Sequence, residues 1–312
     1  MKILYSLDDP ALPLQNTAVA LGVFDGIHLG HMAVLRLAVD EARARGLAPC
    51  VFTFALADPP PAFKPGAAQL TTPSLMARLF HQLGMAYAIA LPFDAVRGKS
   101  GEEFIREVLR DRLGARFVCC GYNFSFGKNR GSHAEDLAAL AVGLGMESAV
   151  APEVDFLGEP VSSTRIRQEI SGGNIPEANA LLGRPFSIDF PVVDGNRIGR
   201  TLGTPTINQP FPPSFALPRF GVYATIAQVD GAYYSGVTNV GTKPTVGRNA
   251  PLAETYIQGF SGDLYGKRVE VAFLEFIRPE RKFASLEELR AHILRDAGQA
   301  AAIGARFLTD II

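Results

Sequence analysis

Two histidines three residues apart stand where a strand-like run gives way to a helix-like one. The apolar run from Thr17 to Phe24 is followed by a turn signal, and the stretch from Gly22 to His31 reads GVFDGIHLGH. Glycines let the backbone turn tightly and approach a ligand, and the first turn of the next helix offers unpaired N–H groups to an anion. This arrangement predicts a phosphate site contacted by His28 and His31.

Paired histidines have two other interpretations. They can be ordinary surface or core side chains. They can also be zinc ligands, although a zinc site needs at least three protein ligands and the neighbouring sequence supplies no third one. The position of this pair at a strand–helix junction favours the phosphate site.

A second phosphate signal is the segment VSSTRIR, residues 161–167. Three hydroxyl residues open a helix-like stretch and are followed by Arg165 and Arg167. Hydroxyls, helix N-terminal amides and guanidinium groups all suit phosphate oxygens. The alternative is a serine N-cap followed by solvated arginines.

Two further segments combine ligand-binding residue types. GYNFSFGK, residues 121–128, places Asn123 among aromatic side chains that could hold a planar ring, or that form an aromatic turn packed on the core. GRTLGTPTIN, residues 199–208, is rich in glycine and hydroxyls and could surround a Mg²⁺–phosphate, or form a plain barrel loop. It lacks the Walker pattern.

The elements that carry these segments predict two domains. In the first half, strand-like and helix-like runs alternate, which predicts an α/β domain with a Rossmann-like parallel sheet and ligand loops at the carboxyl ends of its strands. In the second half, short strands separated by turns, with a hairpin signal at Asp230-Gly231, predict a small antiparallel β-barrel. A helix from Ser285 to Phe307, opened by a capping box with Glu288, closes the chain. The expected domains are residues 1–182 and 183–312.

Composition narrows the classes of function. Among 312 residues the net charge is −1, which gives no reason to expect a nucleic-acid or membrane partner. The three cysteines (Cys50, Cys119 and Cys120) are expected to be buried thiols in a reducing cytoplasm. The start of the chain does not resemble a signal peptide, and no apolar run is long enough to span a membrane. The sequence does not predict an oligomeric state.

These motifs together resemble a known family. LGVFDGIHLGH, GYNFSFGKNRG and VSSTRIRQEISGGNIPEANALLGRPF are similar to the FAD synthetase module of bacterial bifunctional riboflavin kinase/FMN adenylyltransferases, within the nucleotidyltransferase superfamily. The resemblance implies attack of an FMN phosphate oxygen on the α-phosphorus of ATP. It implies catalytic roles for His28 and His31. The nucleotide-binding residues it implies are Gly22, Phe24, Asp25, Gly30, Asn123, Ser162, Ser163, Thr164 and Arg165.

The second half resembles the flavokinase signature GR-x-LG-x-PT-x-N, and its later segments NVGTKPT and GFSGDLYGKRVEVAFLEFIRPERKF also match. The resemblance implies that Glu254 accepts the proton of the ribityl 5′-hydroxyl of riboflavin during phosphoryl transfer from ATP. It implies that Thr206 and Asn208 serve Mg²⁺ and the ATP phosphates, and that Gly199 and Gly203 line the nucleotide site. The expected substrates and products are riboflavin, ATP, FMN and FAD.

Three positions depart from the family pattern. Val23 stands where the family commonly has Asn, Ala57 lies where it commonly has a His-Pro pair, and Phe190 replaces a frequent Gly. Two alternatives follow: a kinase with weak or absent adenylyltransferase activity, and a flavin-binding or regulatory protein without turnover.

Overall fold

The structure is a computed structural model that describes residues 1–12, 14–54, 67–195, 203–245 and 248–309. Tertiary contacts divide the chain into two compact units, Met1–Ser163 and Thr164–Ile312. Among the described residues, no helix has the length and hydrophobicity needed to cross a membrane.

The first unit is built on six parallel strands. They are β1 (Lys2–Leu4), β2 (Thr17–Leu21), β3 (Ala48–Phe54), β4 (Tyr87–Leu91), β5 (Ala115–Gly121) and β8 (Glu147–Ala151). Their order in the sheet is β1-β4-β3-β2-β5-β8. Every residue of central β2 is buried. Val19 and Leu21 belong to the core on one face, while Ala18 and Ala20 belong to the core on the other. This two-sided burial is typical of a parallel sheet covered by helices.

Helices cover this sheet, and the first unit also contains two short β-hairpins. The helices are α1 (Leu29–Arg45), α2 (Pro73–Gln82), α3 (Gly101–Glu103), which continues as π-helix over Phe104–Arg112, and α4 (Ala134–Val142). The hairpins pair β6 (Ser125–Phe126) with β7 (Ser132–His133) and β9 (Asp155–Phe156) with β10 (Glu159–Pro160).

The second unit is an antiparallel sheet with helices. Its elements are α5 (Ser163–Gly172), which begins at the boundary, α6 (Ile175–Leu182), β11 (Phe186–Ile188), β12 (Thr206–Pro210), β13 (Gly221–Val229), β14 (Ala232–Thr245), β15 (Arg248–Ile257), β16 (Glu270–Arg278) and α7 (Leu286–Thr309). The strand order is β11-β16-β13-β14-β15-β12. The segment after β11 forms two isolated bridges, from Pro191 to Arg268, just before β16, and from Val193 to Asn208 of β12.

The two faces of this sheet differ in chemistry. One face packs against α7 through an apolar cluster that includes Val222, Val237 and Ile303. On the other face, the hydroxyls of Thr225, Thr238 and Thr255 form a buried chain with O···O distances of 2.9 and 2.8 Å. All three side chains are fully buried, so each hydroxyl obtains its hydrogen bond from another.

The predicted fold class is confirmed: a parallel-sheet α/β domain precedes an antiparallel half-barrel with a terminal helix. The hairpin signal at Asp230-Gly231 is also confirmed, because Val229 pairs with Ala232 and both turn residues have positive φ. This is the pattern of a type I′ turn.

Two details of the second unit differ from the sequence prediction. The Ser285 hydroxyl accepts from Glu288 N as expected of an N-cap, but the Glu288 carboxylate accepts from Ala284 N rather than from the backbone of Ser285.

The division into units also differs from the predicted domain boundary. Tertiary contacts assign α6, and α5 beyond its first residue, to the second unit. The side chain of Asn179 in α6 donates to Phe273 O in β16 and accepts from Phe186 N in β11. The functional boundary at residue 183 stays a prediction.

Burial sets the chemistry of the three thiols. Cys50, Cys119 and Cys120 are free and fully buried. Loss of hydration disfavours the thiolate and raises the pKa of Cys120 to about 12. The same cause raises the pKa of Cys50 and of Cys119 still further.

Candidate active sites

The two histidines of the first unit form one stacked pair. Their ring centroids are 3.6 Å apart with an interplanar angle of 18°. His28 is the N-cap of α1, and its Nδ1 accepts from His31 N at 3.3 Å. A neutral His28 therefore carries its proton on Nε2. The Phe24 ring packs edge-on against the His31 ring, with 5.4 Å between the ring centroids.

Asp25 holds the turn that precedes these histidines. It is 4% exposed, and its Oδ1 accepts from Leu70 N at 2.9 Å. Its backbone carbonyl accepts from Ser163 Oγ at 3.1 Å. The turn itself is tight, because Phe24, Gly26 and Ile27 all have positive φ. The structure thus brings the Ser-Ser segment to the histidine turn and gives Asp25 a structural hydrogen-bonding role.

Two glycines of the motif closely approach side chains of the site. A Cβ on Gly22 would lie 2.8 Å from the Phe24 ring, and a Cβ on Gly30 would lie 3.3 Å from the His28 ring. Both glycines therefore leave room for the side chains that form the site.

The remaining predicted residues of the adenylyltransferase site divide between the units. Asn123 is exposed and follows β5, which is adjacent to and parallel with β2, so it lies at the same sheet edge as the histidine turn. Ser162 is half-buried in the first unit. Thr164 and Arg165 belong to the second unit, where Arg165 forms an ion pair with Glu177 of α6 at 2.7 Å. Their contact with phosphate stays a prediction.

Strand register in the second unit brings three polar residues into one row. Asn208 of β12 lies directly opposite Glu254 of β15, and Glu254 lies directly opposite Asn239 of β14. Directly opposed residues in antiparallel strands point to the same face, with Cβ atoms about 4.5–5.5 Å apart. Thr206, two residues before Asn208, shares that face. The predicted carboxylate and the predicted metal-binding residues are therefore neighbours.

Asn208 is held tightly in this row. Its side chain is buried, and its backbone carbonyl accepts from Val193 N at 2.8 Å. A Cβ on Gly195 would overlap the Asn208 amide, so the loop backbone lies directly against it. Thr206 also lines a cavity of about 290 Å³, together with Pro205, Ile207 and residues 260–265. Gly203 has a positive φ, and Gly199 lies outside the described residues.

Of the departures from the family pattern, the packing of Phe190 is explained by the structure, whereas nothing among the described residues explains the Val23 side chain. Phe190 is buried, and its ring packs edge-on against the rings of Phe211 and Phe215, with centroid distances of 5.5 and 4.9 Å. Its side chain therefore fills space in the core. The Val23 carbonyl accepts from Thr53 Oγ1 at 2.8 Å, an interaction made by the backbone whatever the side chain. Ala57 lies outside the described residues.

Comparison with known proteins matches each unit to a family model. A FAD synthetase model matches residues 12–165, and a riboflavin kinase model matches residues 182–303. A bifunctional riboflavin kinase/FMN adenylyltransferase from Pseudomonas fluorescens is 35% identical over 93% of this chain and 94% of its own length. The chain belongs to the bifunctional riboflavin kinase/FMN adenylyltransferase family. Membership confirms the prediction of a two-domain enzyme that synthesises FMN and FAD.

Other relatives agree along most of the chain. The bifunctional enzyme of Escherichia coli K12 is 33% identical over 91% of both chains. Among solved structures, the crystal structure of a macrolide-efflux protein from Streptococcus pneumoniae has a TM-score of 0.83 and 29% identity and covers 96% of this chain and 98% of its own.

Sequence reasoning within this family missed some neighbours of the site. Leu70, whose N–H donates to Asp25, and Asp296, which pairs with Arg278, both lie outside the motif segments that resemble the family, so no motif pointed to them. Asn239 lies in a segment that matched the family, but only the strand register shows that it stands beside Glu254.

Proposed function

We propose that the second unit phosphorylates riboflavin beside Glu254 and that the first unit adenylylates the resulting FMN at the His28–His31 turn. The observation that carries this assignment is the register that sets Glu254 opposite Asn208. A base and a phosphate-binding amide on neighbouring strands can position an acceptor hydroxyl and the γ-phosphoryl group together.

In the kinase step, the Glu254 carboxylate accepts the proton of the ribityl 5′-hydroxyl. The oxygen bonds to the γ-phosphorus of ATP as the bond to the bridging oxygen breaks, and ADP leaves. A carboxylate is a weak base for an alcohol, so orientation supplies much of the effect. The cavity beside Thr206 receives the nucleotide, and its volume of about 290 Å³ is near the lower end for ligand sites.

The donor set fits Mg²⁺. The Thr206 hydroxyl and the Asn208 amide oxygen share one face of β12, and both are the hard oxygen ligands that this cation prefers. When bound with ATP, Mg²⁺ neutralises charge on the phosphates. Thr206 and Asn208 hold the phosphate end of the nucleotide next to Glu254.

In the adenylylation step, a phosphate oxygen of FMN attacks the α-phosphorus of ATP and pyrophosphate leaves. Such a reaction depends on positioning and on charge stabilisation. His28 donates from Nε2 to a phosphate oxygen, and His31, stacked on it, steadies the same group. The positive end of the α1 helix dipole stabilises the negative charge of the phosphates. Ser162 and Ser163 contact the phosphates, and Asn123 contacts the flavin nucleotide.

Product chromatography tests this assignment. Purified protein is incubated with riboflavin, ATP and MgCl₂, and again with EDTA in place of the metal. We also propose that the protein acts in the cytoplasm, where both of its substrates, riboflavin and ATP, are present. FMN followed by FAD, with neither formed in EDTA, is the expected result. FMN alone would favour a kinase without adenylyltransferase activity, and tight riboflavin binding without product would favour a flavin-binding protein.

A further inference from the structure

The loop after β16 brings a second carboxylate to the row that contains Glu254. Asn239 Nδ2 donates to Glu280 Oε1 at 3.3 Å, and Asn239 is the cross-strand neighbour of Glu254. The amide of Asn239 thus lies beside one carboxylate on β15 and is bonded to another from the loop.

Gly241 makes this approach possible. It lies two residues after Asn239 in β14 and so shares its face of the sheet. A Cβ at this position would overlap the Glu280 carboxylate. The absence of a side chain at Gly241 is therefore what lets Glu280 reach Asn239.

The loop is itself anchored to the C-terminal helix. Arg278, the last residue of β16, contacts Asp296 of α7 through two guanidinium nitrogens, with Nη2 2.7 Å from Oδ2 and Nε 3.2 Å from Oδ1. Asp296 is 5% exposed, so this charge-assisted pair is shielded from water. Arg278 and Arg281 also stack on Phe283, with guanidinium carbons 5.7 and 5.0 Å from the ring centroid.

We infer that Glu280 is a positioning residue of the kinase site: anchored through Arg278 and Asp296, it orients the Asn239 amide beside Glu254. The bond from Nδ2 fixes which end of the amide faces Glu280 and which end faces away from it. An ordered amide next to the base restricts where the acceptor hydroxyl can lie. This inference rests on the proposed role of Glu254.

Kinetics of four variants test the inference in the full-length enzyme. We expect Glu280→Ala to lower kcat for FMN formation about tenfold, the scale of one lost hydrogen bond to a charged group, with KM for ATP changed less than about twofold. Glu280→Gln keeps an acceptor for Asn239 and should recover most of the loss. Gly241→Ala should reproduce the loss by displacing Glu280. Glu287→Ala removes an exposed carboxylate from the first turn of α7 and should leave kcat unchanged.

FAD formation from supplied FMN reports on the first unit in the same preparations and should stay constant. Unchanged kcat in Glu280→Ala would overturn the inference, and so would equal losses in Glu280→Ala and Glu280→Gln. Glu254→Gln is measured alongside. If it keeps full kinase turnover, the proposed site itself is wrong; if it loses turnover while Glu280→Ala does not, only the role of Glu280 is refuted.

Discussion

Asn208 and Glu254 lie directly opposite each other on β12 and β15, although 46 positions separate them in the chain. We expect Glu254→Gln to lower the rate of FMN formation about 10²–10⁴-fold, the range for losing a positioned general base. FMN formation measured by chromatography checks this. Glu275→Gln is the control, because Glu275 lies in β16, which β13 and β14 separate from β15. Unchanged turnover in Glu254→Gln would remove the proposed role.

The stacked His28–His31 pair predicts the opposite pattern, in which FAD formation is lost and FMN formation is kept. Changing His28 and His31 together to Ala should lower FAD formation from FMN about 10²–10³-fold, because donors to the developing phosphate charge are lost. FMN formation from riboflavin should persist. His81, exposed in the last turn of α2, offers a control substitution to Ala. Loss of both activities in the double variant would show that the site assignment is wrong.

Gly22→Ala should damage the first unit through packing. The added Cβ would lie 2.8 Å from the Phe24 ring, which is almost fully buried and contacts His31. We expect a loss of about 1–3 kcal/mol in the free energy of unfolding and slower FAD formation. Thermal unfolding and FMN adenylylation measure these effects. Gly98→Ala is the matched control, because no atom lies within 4 Å of its added Cβ. Equal stability of the two variants would contradict the packing argument.

The contacts of α6 predict how the second unit can be isolated. Ile175, Ala178, Leu181 and Leu182 are buried, and Asn179 bonds to both β11 and β16. A fragment starting at Thr164 should therefore be more stable than one starting at Gly183, by several kcal/mol from lost burial and hydrogen bonds. Both should phosphorylate riboflavin when folded. Denaturant unfolding compares the two, and equal midpoints would show that α6 adds nothing to this unit.

The buried thiols predict a pH-dependent stability. Because burial raises the pKa of Cys120 to about 12, while an exposed thiol titrates near pH 8.5, unfolding releases protons above that pH. The stabilising contribution is complete below about pH 8.5 and is lost as pH rises towards 12. Iodoacetamide at pH 8 should label no cysteine in the native protein and three after denaturation. Rapid native labelling, read by mass spectrometry, would contradict this burial.

Local patterns predicted the elements well where burial and spacing are strong. The strand-like run predicted from Thr17 is strand β2, which begins at Thr17, and the helix predicted from Ser285 to Phe307 is α7, which spans Leu286–Thr309. β1 was not predicted, because a three-residue edge strand leaves too short a pattern to detect periodicity.

The sequence was enough to predict which residues form the kinase site, but not how they are arranged in space. Motif similarity selected Thr206, Asn208 and Glu254, yet their adjacency depends on register between distant strands. Register is set by packing and turns along whole strands, and a shift of one residue would turn Glu254 to the opposite face. The same reason hides Glu280, which reaches Asn239 only because Gly241 has no side chain.

The three threonine hydroxyls inside the half-barrel carry a consequence for sequence variation. Replacing the central Thr238 by Val removes the hydrogen-bond partner of two buried hydroxyls, those of Thr225 and Thr255, at a cost of about 1–3 kcal/mol for each. Replacing all three removes every such penalty. Descendants of this protein should therefore keep Thr238 for as long as either of the other two hydroxyls remains, so that its loss in an evolutionary lineage should accompany or follow theirs.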